Sequence, residues 1–96
     1  MSGFIKDSQG WFIVSAPGDV RNYSIEWEML LDDTEHLTSS IWTLPTGVSK
    51  GTEALLGFSV TTCQITTQKT GTYKVSNTVM TSTGQTFTRG FRIVVR

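Results

Sequence analysis

Neither sign of charge dominates this sequence. Eight Lys and Arg balance eight Asp and Glu, and the isoelectric point lies near 6.5. Without a broad field of one sign nothing draws the chain onto a phosphate backbone or an anionic lipid surface, so neither nucleic acid nor a membrane is an expected partner. The longest apolar runs, such as Trp11-Phe12-Ile13-Val14, fall far short of the roughly 20 residues that span a bilayer. The start, Met1 to Asp7, lacks a basic region, a long apolar stretch and a small-residue cleavage site, so synthesis as a soluble protein in a cytoplasm is expected. Cys63 is the single cysteine, which rules out an intrachain disulfide and a zinc ribbon within the chain. Stretches with apolar residues at i, i+3, i+4 and i+7 are also missing, and with them any place for a long amphipathic helix.

What is present points to strands. Ninety-six residues suit one domain, because a chain of this size buries roughly 60 to 65 % of its unfolded surface. Threonine and serine abound, and the branched Cβ of threonine fits a pleated, half-buried surface. From Tyr23 to Leu31 the odd residues Tyr23, Ile25, Trp27, Met29 and Leu31 alternate with Ser24, Glu26 and Glu28, which predicts a nine-residue strand with its odd face inward. Asp32-Asp33-Thr34-Glu35 then supplies turn chemistry.

Leu37 to Leu44 reads as the next strand, stopped by Pro45-Thr46-Gly47. Two short strands follow over Glu53 to Val60 and Thr61 to Gln68, the second with Cys63, Ile65 and Thr67 on one face. Thr72 to Thr81 alternates Tyr73, Val75, Asn77 and Val79 against Lys74, Ser76, Thr78 and Met80. After a hairpin turn at Ser82-Thr83-Gly84-Gln85, Phe87, Arg89, Phe91, Ile93 and Val95 alternate to the end. The spacing predicts an all-β, immunoglobulin-like antiparallel sandwich of about seven strands without a disulfide, over residues 19–96. Residues 1–18 are either an N-terminal arm that docks on a neighbouring subunit or an extra edge strand of the sandwich.

Chemistry-bearing residues are sparse. Asp32, Asp33, Glu35 and His36 are the only gathering of metal-type ligands, and their spacing matches no EF-hand loop, so a solvated inter-strand turn is expected and no metal is assigned. Cys63 is expected in the core and His36 at the surface, with nothing to bring them together as a nucleophile pair. No nucleophile elbow, phosphate-cradling glycine loop or HExxH motif occurs, so no catalytic residue and no cofactor is assigned. Asn22-Tyr23-Ser24 fits a glycosylation pattern too short to weigh. Phe4, Ile5, Trp11, Phe12 and Ile13 lie ahead of the regular pattern and are the candidate partner-binding residues.

Gly71-Thr72-Tyr73-Lys74-Val75 resembles the tyrosine corner of immunoglobulin-like folds, with Val75 where an antibody domain has its second cysteine and Trp42 as the candidate core tryptophan. From about Asp19 to Arg96 the chain resembles the phage fiber-tail adaptor family. The residues that carry the likeness are Tyr23-Ser24-Ile25-Glu26-Trp27 with Leu31, Asp33 to Trp42 followed by Pro45-Thr46-Gly47-Val48, Gly71 to Asn77, and Thr83 to Arg89. It departs from the family pattern at Lys69-Thr70 and in its aromatic first eighteen residues.

This resemblance implies a structural virion protein without catalysis, made in the bacterial host. It would attach tail fibers or spikes to the tail or to the neck near the portal, contacting a portal or tail-tube protein and a tail fiber in several symmetric copies. A capsid or tail decoration module that binds a host-surface glycan is the alternative of a different class; a cell-wall hydrolase accessory is the weakest.

Overall fold

Alternation of inward and outward side chains organises the strands, as period two dictates. The computed structural model describes residues 5–8 and 10–96. Eight strands occur among them: β1 (Ile5–Asp7), β2 (Gly10–Ser15), β3 (Val20–Glu26), β4 (Leu37–Thr43), β5 (Val48–Leu56), β6 (Val60–Thr67), β7 (Gly71–Thr81) and β8 (Thr86–Val95). They form two sheets, one in the order β1-β2-β8-β7-β4 and the other β3-β6-β5. The neighbours β3-β6-β5 and β4-β7-β8 reproduce the B-E-D and C-F-G arrangement of the immunoglobulin sandwich. Among the described residues, no helix is long and apolar enough to cross a membrane.

One particular differs from the sequence expectation: one pair is not antiparallel, since β2 runs parallel to β8, with Ile13 opposite Ile93 and Ser15 opposite Val95. Side-chain periodicity is blind to strand direction, so no pattern could have announced this pairing. It takes β2 into the interior, where Ile13 joins the core cluster. The turn after it is bound down: the Asp19 carboxylate accepts from Ser15 Oγ (2.8 Å) and from the Ala16 N–H (2.9 Å), and Thr67 Oγ1 donates to Ala16 O (2.7 Å).

The core lies between the sheets and is built from Tyr23, Ile25, Trp27, Trp42, Cys63, Ile65, Val75, Val79, Phe91, Ile93 and their neighbours. Along β6, Thr61, Cys63, Ile65 and Thr67 are fully buried while the residues between them are partly exposed, so the threonine-rich strand reads as its period predicts. Trp42 on β4 is buried and meets Phe91 edge-on, with centroids 6.2 Å apart. A chain of hydrogen bonds crosses the interior. Trp27 Nε1 donates to Thr61 Oγ1 (3.1 Å), which donates to Asn77 Oδ1 (2.6 Å), and Asn77 Nδ2 donates to Ser40 Oγ (2.8 Å) and Ile41 O (3.2 Å). In a sandwich with no disulfide, this network ties β6 of one sheet to β7 and β4 of the other.

The tyrosine corner is present. Tyr73 O–H donates to the Lys69 carbonyl at 3.0 Å, anchoring the start of β7. Gly47 lies under that ring at φ +108°, and a Cβ there would stand 2.6 Å from Tyr73 Cε1, so both conformation and space demand glycine.

The predicted nine-residue strand from Tyr23 stops early. Tyr23, Ile25 and Trp27 are buried as expected, but residues Glu28–Leu30 form a 3-10 turn, Met29 is 95 % exposed and Leu31 is only partly buried. The ladder has run out there: the partner β6 begins at Val60, opposite Glu26, and the Trp27 N–H closes on Ser59 O (2.8 Å). Past that point the backbone bonds locally, Leu30 N to Trp27 O and Leu31 N to Glu28 O. The fifth strand is longer than expected, since Lys50-Gly51 is absorbed by a bulge between Lys50 and Glu53.

Candidate functional site

One end of the sandwich is formed by three connections: residues 27–36 between β3 and β4, residues 57–59 between β5 and β6, and residues 82–85 between β7 and β8. They are joined by hydrogen bonds. Leu37 N–H donates to Phe58 O (3.0 Å) and Ser82 N–H to His36 O (2.8 Å).

The strongest tie is Glu35. The sequence reading placed it in a solvated turn, yet it is 95 % buried, and its carboxylate is the hub of the end. Oε2 accepts from Thr81 Oγ1 (2.5 Å), from the Thr83 hydroxyl and from Gln85 Nε2 (3.0 Å), while Oε1 accepts the Asp32 N–H (3.1 Å). Asp32, Asp33 and Thr34 are exposed, as a turn requires. Position decides the difference: Glu35 sits two residues before β4, where its side chain turns towards the β7–β8 hairpin. No spacing rule within one segment announces a partner from the far hairpin.

The donors around Glu35, Thr81 first and then Thr83 and the Asp32 amide, hold its carboxyl at about 2 against an ordinary value near 4.5. A group depressed in this way stabilises the fold fully above the unfolded value and loses that contribution as pH falls towards about 2. Urea unfolding of the wild type is therefore expected to weaken between about pH 5 and pH 2. Glu35→Gln should be less stable at pH 7 and show a flatter acid limb; equal acid slopes would contradict this role.

Around that hub the surface is apolar and acidic. A concave pocket of about 600 Å³ is lined by Glu28, Leu31, Asp32, Asp33, His36 and Phe58 with their neighbours. Phe58, at the tip of the β5–β6 turn, is 74 % exposed, with the His36 ring edge-on at 5.9 Å. Gly57 before it takes φ +61°, which lets the turn present that ring outward. Met29 stands free beside the pocket, and Leu30, Leu55 and Leu56 are also exposed. Sequence reasoning missed these residues, though two signals were there. Met29-Leu30-Leu31 breaks alternation with three apolar residues in a row, and Gly57-Phe58-Ser59 puts an aromatic after a turn glycine.

A second apolar surface lies along β1 and β2. Of the candidate partner-binding residues, Ile5 and Trp11 are exposed, Phe12 is half-buried with the Arg92 guanidinium 5.2 Å above its ring, and Ile13 is buried in the core. Phe4 lies outside the described residues. Phe12 and Val14 sit opposite Arg92 and Val94 on the outer face of the large sheet, and Ile5 pairs with Phe12. Arg92 also pairs with Asp7, fastening β1 to β8. Since β8 runs from Thr86 at the loop end, strand rise places Arg92 about 20 Å away from that end.

The remaining candidates are placed apart. Cys63 is buried on β6, and burial, with the Glu53 carboxylate adding to it, pushes its thiol up to about 11. At neutral pH it is a protonated core side chain and a poor nucleophile. His36 is exposed in the loop end, against Phe58.

The family described as "Podophage GP4 fiber-tail adaptor protein gp77" matches residues 16–94. No curated protein matches the chain. The matched region takes in the loop end and all of β3 to β7, whereas β1 and β2 precede it.

Proposed function

From the premise that this chain belongs to the podophage GP4 fiber-tail adaptor (gp77) family, we propose that it is a structural component of the virion that attaches tail fibers to the tail. The family match over residues 16–94 carries this reading. The sandwich supports it by offering what a joint requires: two exposed apolar surfaces on one scaffold, far enough apart for two partners to bind at once. Its stiffness comes from buried side chains and from the hydrogen-bonded network through Asn77, so a pull on one surface reaches the other without unfolding a linker.

In this reading the β1–β2 edge, with Ile5 and Phe12 on one side and Trp11 on the other, grips one tail protein, and the loop end grips the other. Because β1 and β2 lie outside the matched region, they are the part by which this chain selects its own partner. We place the chain at the neck near the portal, in several copies that follow the symmetry of the tail. Repetition in a ring makes modest individual contacts durable.

Strand addition is disfavoured at β4, an outer edge of the large sheet. There the Trp42 N–H is capped by Glu53 Oε1 (3.0 Å) and the Trp42 carbonyl by Lys50 Nζ (3.0 Å). An ion pair from β5 thus blocks the middle of that edge.

A bridging assay tests the proposal. Immobilised tail fiber should retain the tail-tube or portal protein of the same phage only when this chain is present. Retention without the chain, or binding of the chain to host cells in preference to any tail protein, would overturn the adaptor reading.

A further inference from the structure

The loop end carries a charge pattern that specifies its partner. Between Arg21 and Lys50 there is no Lys or Arg, and the same stretch holds Glu26, Glu28, Asp32, Asp33 and Glu35. There is none between Lys50 and Lys69, which brackets Phe58, and none in the 82–85 turn. The two ion pairs found among the described residues, Lys50–Glu53 and Arg92–Asp7, are both elsewhere. A neutral chain has therefore gathered carboxylates around one pocket that also holds Leu31 and Phe58, while Glu35 is turned inward to tie its loop to the β7–β8 hairpin.

Resting on the adaptor reading, we propose that the loop end docks a protein partner that presents lysine or arginine side chains around an apolar knob. The knob fits the pocket between Leu31 and Phe58, with Met29 at its rim; the cations meet Glu28, Asp32 and Asp33. Burying those carboxylates against a neutral or anionic surface costs their hydration with nothing in return, so cations are the complement that docking here requires. This excludes nucleic acid and acidic glycans as occupants of this end. The end is suited to an energetic centre because its loops are already fixed, the Met29 segment by the Glu35 bonds and by its own 3-10 turn and the Phe58 turn by the Leu37 and Trp27 amides, which lowers the ordering cost of docking.

The test measures binding of the full chain to the purified fiber, tail-tube and portal proteins of the same phage, in low and high sodium chloride. Wild type is expected to bind at least one of them, more weakly as salt rises. Phe58→Ser and the double change Asp32→Lys with Asp33→Lys should each weaken that binding by roughly 10-fold or more. The double change should also abolish the salt-induced weakening. All three side chains are exposed, so the variants should melt with the wild type, and Val20→Ser, exposed at the far end of β3, should leave this contact unchanged. Three results overturn the inference while leaving the adaptor reading standing: full binding by both variants, salt-independent binding, or loss confined to self-association. Failure of wild type to bind any tail protein overturns the adaptor reading itself.

Discussion

Asn77→Ala is expected to lower the free energy of unfolding by about 2–4 kcal/mol, far more than a surface asparagine would, because it opens the polar network inside the core. Asn77 is fully buried, and every polar atom of its amide is used: Oδ1 by Thr61, Nδ2 by Ser40 and by Ile41 O. Truncation leaves the buried Thr61 hydroxyl without its acceptor and takes a donor from Ser40 Oγ and Ile41 O, and an unsatisfied buried group costs on the order of 1–3 kcal/mol. Trp27 Nε1, which leans on Thr61, loses the polarising support of the chain. For a domain of this size the melting temperature should fall by roughly 10 °C or more. Asn77→Leu keeps volume and removes the bonds, so it separates the polar contribution from the cavity. Near-wild-type stability in both would show that the network is dispensable.

Trp42→Ala should cost more, about 3–5 kcal/mol, the range for emptying a large aromatic site in a core. The indole is 98 % buried and meets Phe91 edge-on across the inner face of the large sheet. Its loss also leaves the Glu53 and Lys50 caps attached to a strand no longer held from inside. Trp11 supplies the internal control: it is 40 % exposed at the sheet margin, and Trp11→Ala should cost well under half as much. Urea titration of the two variants checks the order, and equal losses would contradict the placement of the core.

How far the sequence could be read follows from what sets each feature. Strands β7 and β8 were legible because both present one face to the core, so Val75, Asn77, Val79, Phe91, Ile93 and Val95 are buried in the alternation that their spacing predicts. The tyrosine corner was legible because it is a local bond, Tyr73 to Lys69. The tryptophan at the centre was legible too, since Trp42 falls on the strand paired with β7. What stayed hidden depends on distant partners. Trp27 continues the alternation of β3 in sequence, but only the end of β6 determines that Met29 leaves the sheet. Glu35 looks like its neighbours Asp32 and Asp33 until the β7–β8 hairpin brings Thr81, Thr83 and Gln85 against it.

The candidate site divides along the same line. Trp11 and Phe12 were conspicuous as aromatics ahead of the regular pattern, whereas Phe58 and Met29 were assigned to strands that end before they reach them. Exposure of a large side chain is a property of where a ladder stops. Charge was fully visible from the start as a gap in Lys and Arg from residue 22 to 49, but an acidic stretch gains meaning only when two loops enclose a pocket around it.

The central claim is that this chain joins fibers to the phage tail. Electron microscopy of particles assembled without it tests that most directly. The account predicts filled heads with tails that lack their fibers, restored by the wild-type chain in trans but not by Phe58→Ser. Particles that carry a full set of fibers in its absence would contradict it.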